Sequence, residues 1–131
     1  MTVDKNMNVL VVDDYQTMIR IIKNLLKQLG FNNIDEATDG TSAYEMLNLK
    51  KYGLVISDWN MEPMSGLDLL KRVRSTSGND NIAKVPFIMV AAESKTENVI
   101  AAKQAGVNNY IVKPFNAETL KTKIASVIGD F

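Results

Sequence analysis

Cysteine and histidine are both absent from the 131 residues. Without cysteine there is no disulfide and no thiol chemistry, and the redox compartment is left open. Without histidine, general-base catalysis by imidazole is excluded, and the chain is not a phosphohistidine donor of its own. Whatever reacts here uses carboxylate, lysine or a bound metal. No stretch approaches the ~18 apolar residues of a membrane span, and residues 1–8 hold no apolar segment of signal-peptide length. The expected setting is the cytoplasm, with no membrane partner. Neither sign of charge is in excess: 15 Lys plus Arg balance 15 Asp plus Glu. The basic residues are also dispersed, so the chain lacks the footprint of a nucleic-acid or anionic-membrane surface. Two phosphate-binding signatures are missing as well. No G-x-G-x-x-G follows the first apolar run, and no G-x-x-x-x-G-K-[ST] occurs, so neither a dinucleotide nor a P-loop nucleotide site is supported.

What is present is a chain with 46% hydrophobic residues, enough for a single domain spanning residues 1–131 with one sizeable core. Apolar runs of strand length recur, and each ends at a charged residue or a turn. Val9, Leu10, Val11 and Val12 stop at Asp13 and Asp14; Leu54, Val55 and Ile56 lead through Ser57 to Asp58; Tyr110, Ile111 and Val112 stop at Lys113 and Pro114. Runs of this kind fit central parallel strands whose two faces are both covered. Residues 86–91 read as a further core strand. Residues 33–37, with Asp35 and Glu36, suit an edge.

Between the strands, apolar residues recur at helical spacing. Tyr15, Met18, Ile19, Ile22, Leu25, Leu26 and Leu29 predict a first helix that Asp13 or Asp14 caps and Gly30 ends. Residues 41–49 predict a second, with Ala43, Met46 and Leu47 inward, and Gly66 opens a third that buries Leu67, Leu70 and Val73. A weakly amphipathic, alanine-rich fourth occupies residues 96–105 before Gly106, and a fifth runs over 116–128 with Leu120, Ile124, Val127 and Ile128 inward. Residues 75–81 are polar without a period and read as a surface loop. Strand and helix therefore alternate five times without internal repeat, which predicts an α/β fold: a doubly wound, five-stranded parallel sheet flanked by five helices.

In such sheets ligands bind beyond the carboxyl ends of the strands. Three strands ending side by side would gather Asp13, Asp14, Asp58 and Lys113 at one pocket. Carboxylates ~4 Å apart at an effective dielectric of ~20 repel by about 4 kcal/mol per pair, so the group needs shifted pKa values or a counter-charge. A hard divalent cation answers that need. Mg²⁺ takes one or two carboxylates, a carbonyl and several waters, and the backbone carbonyl of Asn60 is a suitable contributor. Such a cation would neutralise phosphoryl oxygens and hold the group for attack by Asp58, giving an acyl phosphate, with Lys113 as a second positive charge.

Taken singly, each residue has a plainer explanation. An acid between strand and helix is commonly an N-cap, a lysine before proline is commonly solvated, and Tyr110 alone is a half-buried aromatic. Met61 and Met64 read as loop packing, and Trp59 by itself says little. The co-occurrence at three strand ends outweighs these explanations.

The residues that carry a family likeness are Val11 to Asp14, Ser57 to Met61, Ala92 to Asn98, Ala101 to Gly106 and Tyr110 to Phe115. Taken in order across nearly the whole chain, they resemble the receiver domains of two-component response regulators, and among those the single-domain chemotaxis regulators. The resemblance supplies the strand order 2-1-3-4-5. It implies that Asp58 accepts phosphate from the phosphohistidine of a partner kinase, that Asp13, Asp14 and Asp58 place Mg²⁺, and that Lys113 contacts the phosphoryl group. Asn60 and Glu93 match positions that tune dephosphorylation. Tyr110 matches an aromatic switch that reports phosphorylation to the face made by the fourth helix, fifth strand and fifth helix. There the family binds targets such as the flagellar motor switch. A phosphatase is a further partner, and a monomer without an output domain is the expected state.

Two positions depart from the family pattern. Ala91 stands where the family has Thr or Ser, whose hydroxyl bonds a phosphoryl oxygen. Its loss costs about 1.5–3 kcal/mol, against the ~5.5 kcal/mol needed to swing a two-state equilibrium from 1:99 to 99:1. Phosphorylation would survive while switching is blunted. Glu62 stands where proline is usual, with Pro63 one residue later. The expected function is a phosphorylation-controlled binding module, not an enzyme. Its rivals are a phosphate sink or relay, which Ala91 favours, and a Mg²⁺-dependent phosphohydrolase, which lacks an acid two residues after Asp58. A flavodoxin-like cofactor carrier is opposed by the acidic pocket.

Overall fold

Side chains alternate across the faces of a strand, and here both faces are apolar. In the structure, a computed structural model that describes residues 5–92 and 95–129, five strands form one parallel sheet. They are β1 (Asn8–Val12), β2 (Asn33–Ala37), β3 (Leu54–Asp58), β4 (Phe87–Ala91) and β5 (Asn109–Val112), in the order β2-β1-β3-β4-β5. Val9, Val11, Ile56, Ile88 and Val90 point to one face. They pack there with Ile19, Ile22 and Leu26 of α1 (Gln16–Gln28) and with Leu120 and Ile124 of α6 (Ala117–Ile128). Leu10, Val12, Val55, Phe87 and Met89 point to the other, against Ala43 and Leu47 of α2 (Gly40–Leu49) and Leu69, Leu70 and Val73 of α3 (Gly66–Arg74). The remaining helices are α4 (Asp80–Ala83) and α5 (Thr96–Gln104). The doubly wound sheet and its strand order agree with expectation.

β2 lies at the edge, as its acids suggest. Asp35 Oδ2 pairs with Lys50 Nζ at 2.9 Å and Glu36 Oε2 with Lys23 Nζ at 3.0 Å, so the charges face solvent and other side chains. Gly30 and Gly106, which end α1 and α5, have φ of +101° and +94°, a conformation that favours glycine.

Four readings of the sequence need correction. The described residues form six helices, not five: residues 80–83 form a one-turn helix, started by Asn79, whose side chain accepts from the Asn81 N–H at 3.1 Å, and anchored by buried Ile82. A single turn is too short for a period to be read. Neither Asp13 nor Asp14 occupies the N-cap of α1; Tyr15 does, without a side-chain cap bond. Tyr15 is also 60% exposed and no part of the core. In α3 it is Leu69 that is fully buried, beside Leu70, while Leu67 is half-buried. With Gly66 seated against β3, the helix turns its Leu69 and Leu70 edge to the sheet.

Candidate functional site

Register brings the chemistry together. β1 pairs with β3 and β3 with β4, so that Val12 lies opposite Ser57 and Asp58 opposite Val90, while Ala91 lies opposite Val112 on β5. The residue beyond each strand stays tied to its neighbour by a ladder bond. Asp13 N–H donates to Ala37 O at 3.1 Å, Trp59 N–H to Val90 O at 2.8 Å, and Lys113 N–H to Ala91 O at 2.8 Å. Asp13, Asp58, Ala91 and Lys113 are thus fixed along one edge of the sheet by backbone hydrogen bonds, which leaves their side chains to the site.

Asp13 and Asp58 are buried, at 1% and 5% exposure, and Asp14 is exposed. Carboxylate oxygens of the three lie within 4.8 Å of one another. Lys113 Nζ stands 2.8 Å from Asp58 Oδ1 and 3.9 Å from Asp13 Oδ2. Among the described residues no hydrogen bond satisfies Asp13 Oδ2 or Asp58 Oδ1, although both are buried, and Lys113 compensates them as an ion. One lysine facing three carboxylates leaves an excess of negative charge when all are ionised. The Asp13 carboxyl responds, pushed up from 3.8 to about 6. Burial is the main cause, and the Asp58 and Asp14 charges add to it; the Tyr15 N–H, 2.9 Å from Asp13 Oδ1, and Lys113 oppose it.

These features fit a hard divalent cation. Two buried oxygens lack hydrogen-bond partners, the donor set is oxygen only, and the cluster opens to solvent through Asp14. Asp14, Asn60, Met61 and Glu62 line a cleft of about 310 Å³ at that opening. Asn60 therefore belongs to the same mouth as Asp14.

The remaining expected residues lie to the side. Ala91 is buried at the end of β4 and offers no hydroxyl to the site. Tyr110 is half-buried, its ring edge-on to Trp59 with centroids 6.3 Å apart and planes at 61°. It also lines a small cavity of about 90 Å³ with Val99 and Lys103 of α5 and Val107, Asn108 and Asn109, on the surface that α5 and β5 share. Glu93 lies outside the described residues.

Two positioning residues escaped sequence reasoning. The hydroxyl of Ser57, fully buried, donates to Asp58 O at 3.0 Å. Gly66 donates its N–H to Trp59 O at 2.9 Å, and a Cβ on it would overlap the Asp58 carbonyl and press on Met89 Sδ. Gly66 thus lets α3 start directly against the loop that follows Asp58. A glycine at a helix start is an ordinary sequence feature, and only the packing reveals this close approach.

Among the described residues no helix is long and apolar enough to cross a membrane. A family model for the response regulator receiver domain matches residues 9–125. The chain is 51% identical over 124 residues to chemotaxis protein CheY-3 of Vibrio cholerae, covering 95% of this chain and 93% of that one. It is 50% identical over 121 residues to chemotaxis protein CheY of Pseudomonas aeruginosa, covering 92% and 95%. The solved structure of chemotaxis response regulator CheY4 of Vibrio cholerae superposes with a TM-score of 0.83 at 31% identity, covering 93% and 99% of the two chains.

Proposed function

The chain belongs to the response regulator receiver domain family, and from that premise we propose that it is a chemotaxis response regulator phosphorylated on Asp58. The carrying observation is the buried Asp58 carboxylate at the end of β3, with Lys113 Nζ 2.8 Å away and Asp13 and Asp14 beside it. A carboxylate oxygen of Asp58 attacks the phosphorus of a phosphohistidine on a partner kinase. The P–N bond breaks, and its electron pair leaves with the imidazole, which takes up a proton. Lys113 balances charge on the transferred group. Asp13, Asp14 and Asp58, with the Asn60 carbonyl, would hold Mg²⁺, which when bound neutralises phosphoryl oxygens.

Tyr110 on β5, packed edge-on to Trp59, is the element proposed to carry the signal to the surface of α5, β5 and α6, where the flagellar motor switch would bind. Asn60 and Glu93 would tune how fast water removes the phosphate. The protein would act in the cytoplasm as a monomeric single receiver domain, a binding module and not an enzyme.

Ala91 favours a second reading, a phosphate sink or relay without motor output. The strand end that the family uses for a hydroxyl contact is buried alanine, so phosphorylation has one fewer contact with which to bias the switch. The test is intact mass after incubation with Mg²⁺ and acetyl phosphate, followed by binding to a motor-switch peptide. One phosphoryl group, absent in Asp58→Asn and dependent on Mg²⁺, is the expected result, and no transfer overturns the acyl-phosphate reading. A phosphorylated form that binds the peptide no better than the unphosphorylated one selects the sink. Turnover of a generic phosphate ester would select a phosphohydrolase instead.

A further inference from the structure

The opening of the acidic cluster has two carboxylate walls. Asp14 belongs to the group of three carboxylates, whereas Glu62 is no part of it, yet both line the same cleft of about 310 Å³ together with Asn60 and Met61. Both are exposed, and among the described residues neither is ion-paired with a cation. Lys113, behind them, is committed to Asp58 at 2.8 Å. Among the described residues Asp13 Oδ2 and Asp58 Oδ1, at the base of the site, have no hydrogen-bond partner and share Lys113 as counter-charge, which leaves a place for a further cation. Asp14 is common to the cluster and the cleft, so a group that approaches the cluster from this side meets two carboxylates, Asp14 and Glu62.

Resting on the receiver reading, we infer that Glu62 sets the charge of the mouth and makes the site selective by charge. It draws the divalent cation in and slows phosphodonors in proportion to their negative charge. Glu62 is not one of the three clustered carboxylates; it acts through the field it adds at the mouth, which reaches a Debye length, about 10 Å at 0.1 M salt. Small dianionic donors such as acetyl phosphate are thereby disfavoured relative to a donor of lower negative charge. A kinase domain carrying its own positive surface to the mouth would be exempt. The size of the effect is that of one exposed charge, roughly two- to fivefold at low salt.

The experiment compares the full chain with Glu62→Gln, with Asp13→Asn, and with Glu45→Gln, an exposed carboxylate on α2 that changes net charge equally. Mg²⁺ affinity is read from amide NMR shifts and Trp59 fluorescence at low salt and again at about 1 M salt, where the Debye length is about 3 Å. Phosphorylation by acetyl phosphate and by phosphoramidate, of lower charge, is then timed at saturating Mg²⁺. Glu62→Gln should bind Mg²⁺ two- to fivefold more weakly at low salt and equally at high salt, roughly as expected for one exposed charge. It should also react faster with acetyl phosphate and gain less with phosphoramidate, whereas Glu45→Gln should behave like the parent. Equal Mg²⁺ affinity in Glu62→Gln and parent, while Asp13→Asn abolishes binding, overturns this inference alone. An unchanged or lowered acetyl phosphate rate in Glu62→Gln overturns it too. No Mg²⁺ response in the parent overturns the receiver reading and the inference with it.

Discussion

Asp13→Asn should make the metal-free protein more stable. The Asp13 carboxyl is pushed from 3.8 to about 6, first by burial, so the folded state holds its proton more tightly than the unfolded chain. Its contribution therefore declines as pH rises through the window between those two values, and above it the full cost of keeping an ionised, buried carboxylate is present. At 1.36 kcal/mol per unit of pKa this is about 3 kcal/mol near neutrality. Asparagine removes that charge and keeps an oxygen for the Tyr15 N–H, which now sits 2.9 Å from Asp13 Oδ1. The shifted value already includes the pull of that bond, so the net gain stays at ~3 kcal/mol. For a domain of this size that raises Tm by about 9–12 °C. The assay is thermal unfolding of parent and variant with EDTA, at pH 7.5 and pH 5; the difference between them should be about half as large at pH 5. Adding Mg²⁺ to about 100 times its Kd should stabilise the parent by ~2.7 kcal/mol and leave the variant unmoved. A metal-free variant that melts at or below the parent at pH 7.5 would refute the claim that the cluster is held at a cost in stability.

Other perturbations separate the contributions. Lys113→Met leaves Asp58 Oδ1 and Asp13 Oδ2 without their counter-charge; it should cost about 1–3 kcal/mol in EDTA yet tighten Mg²⁺ binding, both read in one melting titration. Gly66→Ala places a Cβ on the Asp58 backbone carbonyl; a shift of helix against strand costs roughly 1–3 kcal/mol, and phosphorylation by acetyl phosphate should slow even at temperatures where the variant is fully folded. Ala91→Thr introduces a hydroxyl at the end of β4, and if the proposed phosphoryl contact forms there, the extra contact of about 1.5–3 kcal/mol should enlarge the phosphorylation-dependent change in Trp59 fluorescence and peptide affinity. An identical response in alanine and threonine forms would remove Ala91 as an argument for the sink.

The strands were legible because three of them are buried on both faces, and a central parallel strand has little choice but an unbroken apolar run. Legible too were the ends of β1, β3 and β5, where Val12, Ile56 and Val112 give way to charge within two residues, although β5 lies at the sheet edge and Val112 is partly exposed. The failures occurred where local pattern carries no period or has a second meaning. The four residues of α4 complete one turn, and their anchor, Ile82, looks like any apolar residue in a loop. Asp13 after a strand and before a helix reads as a cap, but its carboxylate is held by the Tyr15 N–H outside the helix and points into the cluster. Leu67 and Leu69 are interchangeable in a sequence; the close seat of Gly66 on the Asp58 carbonyl decides which of them goes inside.

By itself, then, the sequence determined the class of chemistry. With neither histidine nor cysteine, imidazole and thiol chemistry were excluded, and the alternation of strand and helix placed a set of carboxylates and a lysine at the carboxyl ends of a parallel sheet. Only the tertiary structure decided how they meet. Lys113 stands against Asp58 at 2.8 Å and against Asp13 at 3.9 Å, and Asp13 carries the burial that lifts its pKa. Glu62, four residues beyond Asp58, shares the mouth with Asp14. These relations join residues 48 to 100 positions apart along the chain, or depend on how a loop folds over a strand end. Charge separation and desolvation are properties of distance in space, and a sequence orders residues without fixing those distances.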